Sequence, residues 1–326
     1  MKVFVAGATG AIGKQLVPML VERGHEVTGL TRSTAKQDLL RELGARPAVA
    51  DALDPEGVAQ AVAEAEPEVL IHQLTSIDTG SFGRSLDKQF AQTNILRTEG
   101  TDHLLAAAKA TGARRFIAQS FAGWPLKREG GLVKDESAPL DESPPKPISE
   151  TLRAIRYLES TVTGAEGIEG LALRYGGFYG PYTSLGLNPD GDQIEMIRKR
   201  RLPVIGSGAG IWSLVHIEDA ASATADAVER GDAGVYNIVD DDPARVSEFI
   251  PEVAKAVGAK PPRHFPKWLG RLAGGELAVI MMTDVRGSDN TKAKRELGWE
   301  LRYPSWRLGI RDGLTPAEAD AVRSAA

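Results

Sequence analysis

Val3-Phe4-Val5-Ala6-Gly7-Ala8-Thr9-Gly10-Ala11-Ile12-Gly13 stands almost at the start of the chain, and its reading decides the fold. Four apolar residues predict a buried strand. Three glycines follow at three-residue spacing, and a helix-forming run continues to Arg23. Glycine at these positions allows a tight turn, close approach of a pyrophosphate to the backbone, and contact between helix and sheet. The helix start beyond them offers free N–H groups and the positive end of a dipole. Strand, turn and helix in this order predict a dinucleotide-binding unit.

Outward from this stretch, short apolar runs alternate with helical ones. Further strands are expected at 26–30, 47–50, 69–74, 116–119 and 171–174, with helices at 39–43 and 58–65 between the early ones. This order predicts an α/β fold: a Rossmann doubly wound parallel sheet, covered on both faces, with a smaller C-terminal substrate lobe. Residues 1–180 are expected to form mainly the NAD(P)-binding domain, with 211–240 returning to it. Residues 181–210 and 241–326 are assigned to the lobe. A loop with four prolines at 137–147 and a polar loop at 182–192 interrupt the alternation.

Composition narrows the function classes. The 326 residues are 42% hydrophobic and 25% charged with net charge −5, which gives no general attraction to nucleic acid or an anionic membrane. The absence of cysteine excludes disulfides, thiolate zinc sites and cysteine nucleophiles. Met1-Lys2 runs straight into the first strand, so no secretory signal is read. The apolar stretch at 277–282 is far shorter than the ~20 residues of a spanning helix. A cytoplasmic protein with no membrane or nucleic-acid partner is expected. His216 lacks a spaced His or carboxylate partner, so no metal is expected, and Asp219 is expected to cap the following helix.

The Gly-x-x-Gly-x-x-Gly spacing resembles the short-chain dehydrogenase/reductase superfamily, most closely its extended branch, the NAD-dependent epimerase/dehydratase family. Similar segments follow in the family's order. They are Asp51-Ala52-Leu53-Asp54, Val69-Leu70-Ile71-His72, Thr93-Asn94-Ile95, Arg115 to Ser120, Phe178-Tyr179-Gly180-Pro181, Val215 to Ala220, Tyr236-Asn237-Ile238 and Glu296-Leu297-Gly298-Trp299. The resemblance implies a nicotinamide cofactor held by Gly7, Thr9, Gly10, Ala11, Ile12 and Gly13. Arg32, Ser33, Asp51, Ala52, Leu74, Thr75, Asn94, Tyr175 and Gly176 would complete its site. A homodimer built from two helices of each subunit is also implied.

Where NAD-preferring members place a carboxylate, this chain has Arg32, which can pair bidentately with a 2′-phosphate. NADP(H) is therefore expected ahead of NAD(H), which stays open, as does a plain surface role for Arg32. Asp51 is expected on the adenine amino group or as a loop cap.

The family's catalytic set is a Ser or Thr with a Tyr and a Lys four residues apart on a helix, the lysine cation favouring phenolate. Ser120 resembles the serine. The tyrosine and lysine are missing. A register anchored on Glu159 puts Thr151 and Ile155 in their places, and a shifted one puts Ile148 and Leu152 there. Ser120 as hydrogen-bond donor and Thr151 as a water-positioning hydroxyl are the expected catalytic residues. Trp212 stands where members acting on nucleotide sugars carry an arginine, which argues against such a substrate. Phe121, Trp124, Tyr179, Tyr182 and Trp212 are expected to line a pocket for a small apolar or aromatic substrate, although each also reads as core. An NADP(H)-dependent oxidoreductase is the expected function. An epimerase or dehydratase that recycles its cofactor, and a non-enzymatic dinucleotide-binding regulator, stay open.

Overall fold

Lys2–Ala6 (β1) is apolar on both sides because it lies inside a parallel sheet with helices on each face. The computed structural model describes residues 1–77, 85–187 and 191–314. From β1 the chain alternates through α1 (Ala11–Glu22), β2 (Glu26–Thr31), α2 (Gln37–Glu42), β3 (Arg46–Val49), α3 (Pro55–Ala65) and β4 (Val69–His72). Next come α4 (Leu86–Gln89), α5 (Ala91–Ile95), α6 (Thr101–Ala110) and β5 (Arg115–Phe121). Leu96–Gly100, between α5 and α6, is a π-helical turn. After β6 (Val133–Lys134), α7 (Ser149–Thr163) packs beside β7 (Glu169–Tyr175). The chain continues through β8 (Gly177–Tyr179), α8 (Asp192–Arg198), β9 (Val204–Ile205), β10 (Ile211–Trp212) and β11 (Leu214–His216). It then returns to the main sheet through α9 (Ile217–Glu229) and β12 (Gly234–Ile238).

Seven parallel strands make that sheet, in the order β12-β7-β5-β4-β1-β2-β3. The order reverses at β1, whose neighbours are β2 and β4. Ligands of such sheets bind outside the carboxyl ends of the strands at this reversal. Side-chain alternation divides the core. Ile117 of β5 joins Leu16 and Leu20 of α1 and Val228 of α9, while Phe116 and Ala118 join Val62 of α3, Leu104 of α6 and Leu158 of α7. A fully buried Leu or Phe stabilises by about 1.5–3 kcal/mol, against about 0–1 for an exposed ion pair, so these two faces hold the sheet together.

The remaining elements are β13 (Ala244–Arg245), α10 (Val246–Ala256), β14 (His264–Phe265), α11 (Lys267–Thr283), β15 (Gly287–Ser288), α12 (Thr291–Leu297) and α13 (Trp306–Asp312). A third core joins α8, α10, α11 and α13 through Ile194, Ile197, Phe249, Ile250, Val279 and Trp306. Its strands pair in twos: β8 with β11, β9 with β14, and β10 with β13. No helix among the described residues is long and apolar enough to cross a membrane.

Asp219 departs from its expected role. The cap of α9 is His216, whose Nδ1 accepts from Glu218 N at 3.3 Å. Asp219 instead accepts from the backbone N–H groups of Arg302 (2.8 Å) and Tyr303 (2.9 Å), and burial pushes its carboxyl up to about 6. It faces the C-terminal chain, so it is not free to close its own helix.

Candidate active site

The glycine turn shows three different needs at three positions. Gly7 has φ +96°, and a Cβ there would lie 2.7 Å from the carbonyl oxygen of Gln73. A Cβ on Gly13 would collide with the carbonyl of Ala8. Gly10 has ordinary dihedrals and is exposed, and a Cβ there would meet only Gly7 O, at 3.2 Å. Gly7 and Gly13 are thus required by the protein itself, whereas Gly10 leaves space outside it. Thr9 is half-buried and Ile12 buried, and α1 begins after Gly10 with no side-chain cap on its free N–H groups. Gln73 Oε1 after β4 and Asn94 Oδ1 on α5 are buried without partners. Uncapped donors, open space over Gly10 and these orphaned acceptors fit a dinucleotide.

At the end of β2, Arg32 is exposed and forms no ion pair among the described residues; Ser33 N donates to Thr31 Oγ1 at 3.2 Å. Asp51 is exposed after β3 and accepts from Leu53 N at 3.0 Å, while the carbonyl of buried Ala52 holds His103 Nδ1 at 3.0 Å. Leu74 N donates to His72 Nδ1 at 3.2 Å, and Thr75 beyond it is exposed. The side chain of Tyr175 is buried, its hydroxyl between Gln73 Nε2 (2.8 Å) and Thr224 Oγ1 (2.7 Å), and burial raises its pKa. Gly176 runs so close to β11 that a Cβ would lie 2.8 Å from Ser213 O.

The two hydroxyls expected to be catalytic are each engaged by other side chains. Ser120, 1% exposed, donates to Glu159 Oε1 at 2.5 Å. That carboxylate also accepts from Arg174 Nε (2.8 Å) and Nη2 (2.7 Å). Ser120 is therefore a member of a buried ion-pair cluster rather than a free donor in the cleft. The cause is strand alternation: Ser120 turns toward α7 with Phe116 and Ala118. Thr151, wholly buried, donates to Asp87 Oδ1 at 2.7 Å and accepts from Asn94 Nδ2 at 3.2 Å. Asp87 also accepts from Thr151 N (2.7 Å) and Glu150 N (3.1 Å), capping α7 from α4. Ile155 is buried.

Of the aromatic residues, Phe121 and Trp124 meet with centroids 5.7 Å apart, packed on the cluster of Leu152 and Ile155. Trp212 donates to Met281 O at 2.8 Å and packs on Phe249. Tyr179 lines no open pocket: it is wholly buried in the third core against His216. Tyr182 is exposed with φ +64°, and Lys14 of α1 lies 4.5 Å from its ring centroid.

Sequence reasoning missed Asp87 and Arg97. Arg97 is 3% exposed inside the π-helical turn, and the carbonyl beside it, Leu96 O, accepts from His72 Nε2 at 3.1 Å. With Nδ1 of His72 accepting as well, that ring is held neutral, and burial pulls its pKa down to about 4.

Comparison with known proteins assigns the family. The pattern of the NAD-dependent epimerase/dehydratase family matches residues 3–239. The chain belongs to that family. A Streptomyces protein named 3-diazoavenalumate denitrifying reductase is 42% identical over 311 residues, 95% of this chain and 99% of its own. The 2-alkyl-3-oxoalkanoate reductase of Stenotrophomonas maltophilia is 30% identical over 277 residues, 79% of this chain and 76% of its own. A human epimerase family protein solved with NADPH superposes with a TM-score of 0.72 at 19% identity, covering 96% of this chain and 99% of that one. The family member thus has reductases among its relatives, and its glycine turn suits a nicotinamide dinucleotide.

Proposed function

We propose that this protein is an NADPH-dependent reductase of a small unsaturated carboxylate whose diazo group reacts as an aryl diazonium. The observation that carries the reading is the start of α7. In the register anchored on Glu159, Thr151 and Ile155 take the places of the family's tyrosine and lysine, the first bonded to Asp87 and the second buried; in the shifted register Ile148 and Leu152, both buried, take them. Tyr157 is the tyrosine of this helix, and its hydroxyl is bound to Asp102 at the surface (2.8 Å). A reduction that needs no proton donor suits such a site.

Gly7–Gly13 would hold a reduced nicotinamide dinucleotide, whose chemistry would be the supply of a hydride, one hydrogen with two electrons. Addition of a hydride to the terminal nitrogen of a diazonium group forms an N–H bond and cancels the positive charge. No proton enters this step. The resulting diazene loses N₂ as its C–N bond breaks, and its hydrogen ends on carbon. Reduction of a 3-oxo acid, by contrast, leaves an alkoxide that a general acid must protonate. The diazo substrate in the name of the 42%-identical relative supports the first chemistry, and both reductases reported above are named for carboxylates.

Residues 1–180 and 211–240 hold the cofactor in this reading, with 181–210 and 241–326 covering the substrate. Arg32 supports NADP(H), because its exposed guanidinium has no ion-pair partner among the described residues. A homodimer built from two helices of each subunit belongs to the same reading.

The test is turnover of a diazotised aminocinnamate with NADPH, following N₂ and NADPH together. One N₂ released for each NADPH oxidised is expected. Higher kcat/KM with a 3-oxo acid would move the protein to the ketone reductases. Tight NADPH binding with no oxidation on either substrate would make it a regulator.

A further inference from the structure

Two costly features coincide at Arg97. The first is its helical setting: Leu96–Gly100 is a π turn between two α-helices, an arrangement that is rare and frequent at functional sites. The second is its charge. The Arg97 guanidinium is buried, pairs with no carboxylate among the described residues, and its Nη1 has no hydrogen-bond partner. The centroid of the Phe90 ring lies 5.6 Å from its Cζ. Burial draws its pKa down to about 10, with Glu159 acting against that fall.

The surroundings do not neutralise it. Glu159 is engaged by both Arg174 and Ser120, and His72 is fixed neutral between Leu96 O and Leu74 N. Among the described residues, two guanidinium groups therefore face one carboxylate, a buried excess of one positive charge. Arg174 Nη1 is a second buried donor without a partner. An uncompensated buried charge opposes folding, so a site that keeps one is matched to an anion that arrives later.

We propose that Arg97 binds the carboxylate of the substrate, an inference that rests on the carboxylate-reductase reading above. Position selects this anion over the cofactor's diphosphate. The glycine turn lies on β1, whereas Arg97 lies by His72 at the end of β4 and toward Glu159, which pairs with Arg174 of β7. It is thus on the β4-β5-β7 side of the strand reversal.

The test compares cinnamate with cinnamamide, which differ in the anionic oxygen, as ligands of the NADP⁺ complex by calorimetry. Wild type is expected to bind cinnamate at least tenfold more tightly than the amide. Arg97→Met should erase that preference, with NADP⁺ affinity within twofold, and should melt no lower than wild type without ligand, because a buried charge is removed. Arg97→Lys, which keeps the charge but not the planar fork, should retain part of the preference and decides the matter if the methionine variant does not fold. A preference unchanged in the variants overturns the assignment. Loss of NADP⁺ affinity with the preference intact overturns it in favour of the diphosphate. Lower melting of Arg97→Met with the preference intact makes Arg97 a structural strut. Absence of any preference in wild type overturns the carboxylate reading itself.

Discussion

Ser120 on β5 donates its hydroxyl hydrogen to Glu159 on α7 across 2.5 Å, inside a cluster completed by Arg174. Ser120→Ala is therefore expected to lower stability more than rate. A hydrogen bond to a charged group contributes about 1.5–3 kcal/mol, and urea unfolding should show a loss of that order. Turnover should fall less than tenfold. Loss of a catalytic acid or base costs about 10²–10⁴-fold, so a folded, inactive Ser120→Ala would return the hydroxyl to the chemistry.

Thr151→Ala should be mild as well. It removes the hydroxyl's bond to the Asp87 carboxylate, worth about 1.5–3 kcal/mol, and the bond accepted from Asn94, while the backbone N–H of residue 151 keeps the cap, so the loss falls on stability. Steady-state rates within about tenfold of wild type are expected. A collapse of kcat with unchanged melting would show that Thr151 handles a proton.

The glycines separate binding from folding. Gly10→Val should fold and lose dinucleotide binding, because its side chain would point into open space above the turn. Gly13→Val should fold poorly, because the backbone carbonyl of Ala8 occupies that space and cannot give way. Melting curves and NADP⁺ calorimetry on both variants check the contrast. Unchanged affinity in a folded Gly10→Val protein would remove the cofactor from this turn.

Arg32→Ala should narrow the preference for NADP(H) over NAD(H) by about ten- to a hundredfold, the value of a charge-assisted bond of roughly 1.5–3 kcal/mol. Dissociation constants for both cofactors, at fixed salt, give the ratio. A wild type that prefers NAD(H) would leave Arg32 a surface residue.

His72 makes stability depend on pH. Its folded pKa, about 4, lies below the ordinary 6.5, so the unfolded chain takes up a proton that the folded one refuses. This contribution is complete above about 6.5 and is lost as pH falls toward 4. The slope from one such group is at most about 1.4 kcal/mol per pH unit. Urea denaturation of His72→Gln between those limits should show a shallower loss than wild type. Parallel slopes would mean that His72 is protonated in the fold.

The sheet was legible because parallel strands buried on both faces write continuous apolar runs, such as Val69-Leu70-Ile71, and because Gly7 and Gly13 leave no room for a Cβ. Site detail was harder. On a strand, neighbouring residues face opposite sides, so motif matching places Ser120 in the right strand without telling which way it points. Tyr179 reads as a pocket aromatic by composition, yet β8 carries it into the third core. Arg97 was invisible because one π turn between ordinary helical stretches resets which residues face inward, and residue pattern does not record that turn. Asp87 caps a helix more than 60 residues later, a contact outside any local window.

Asp219 meets its two amide donors 83 and 84 residues further along the chain, and His216 meets Gly313 after 97. During synthesis on the ribosome, the Asp219 carboxylate lacks both of these amide partners until Arg302 has emerged. The seam between α9 and the C-terminal chain therefore closes late, whatever the glycine turn has already formed. A nascent chain halted before residue 300 presents an incomplete seam around α9, the kind of exposed apolar surface that chaperones hold.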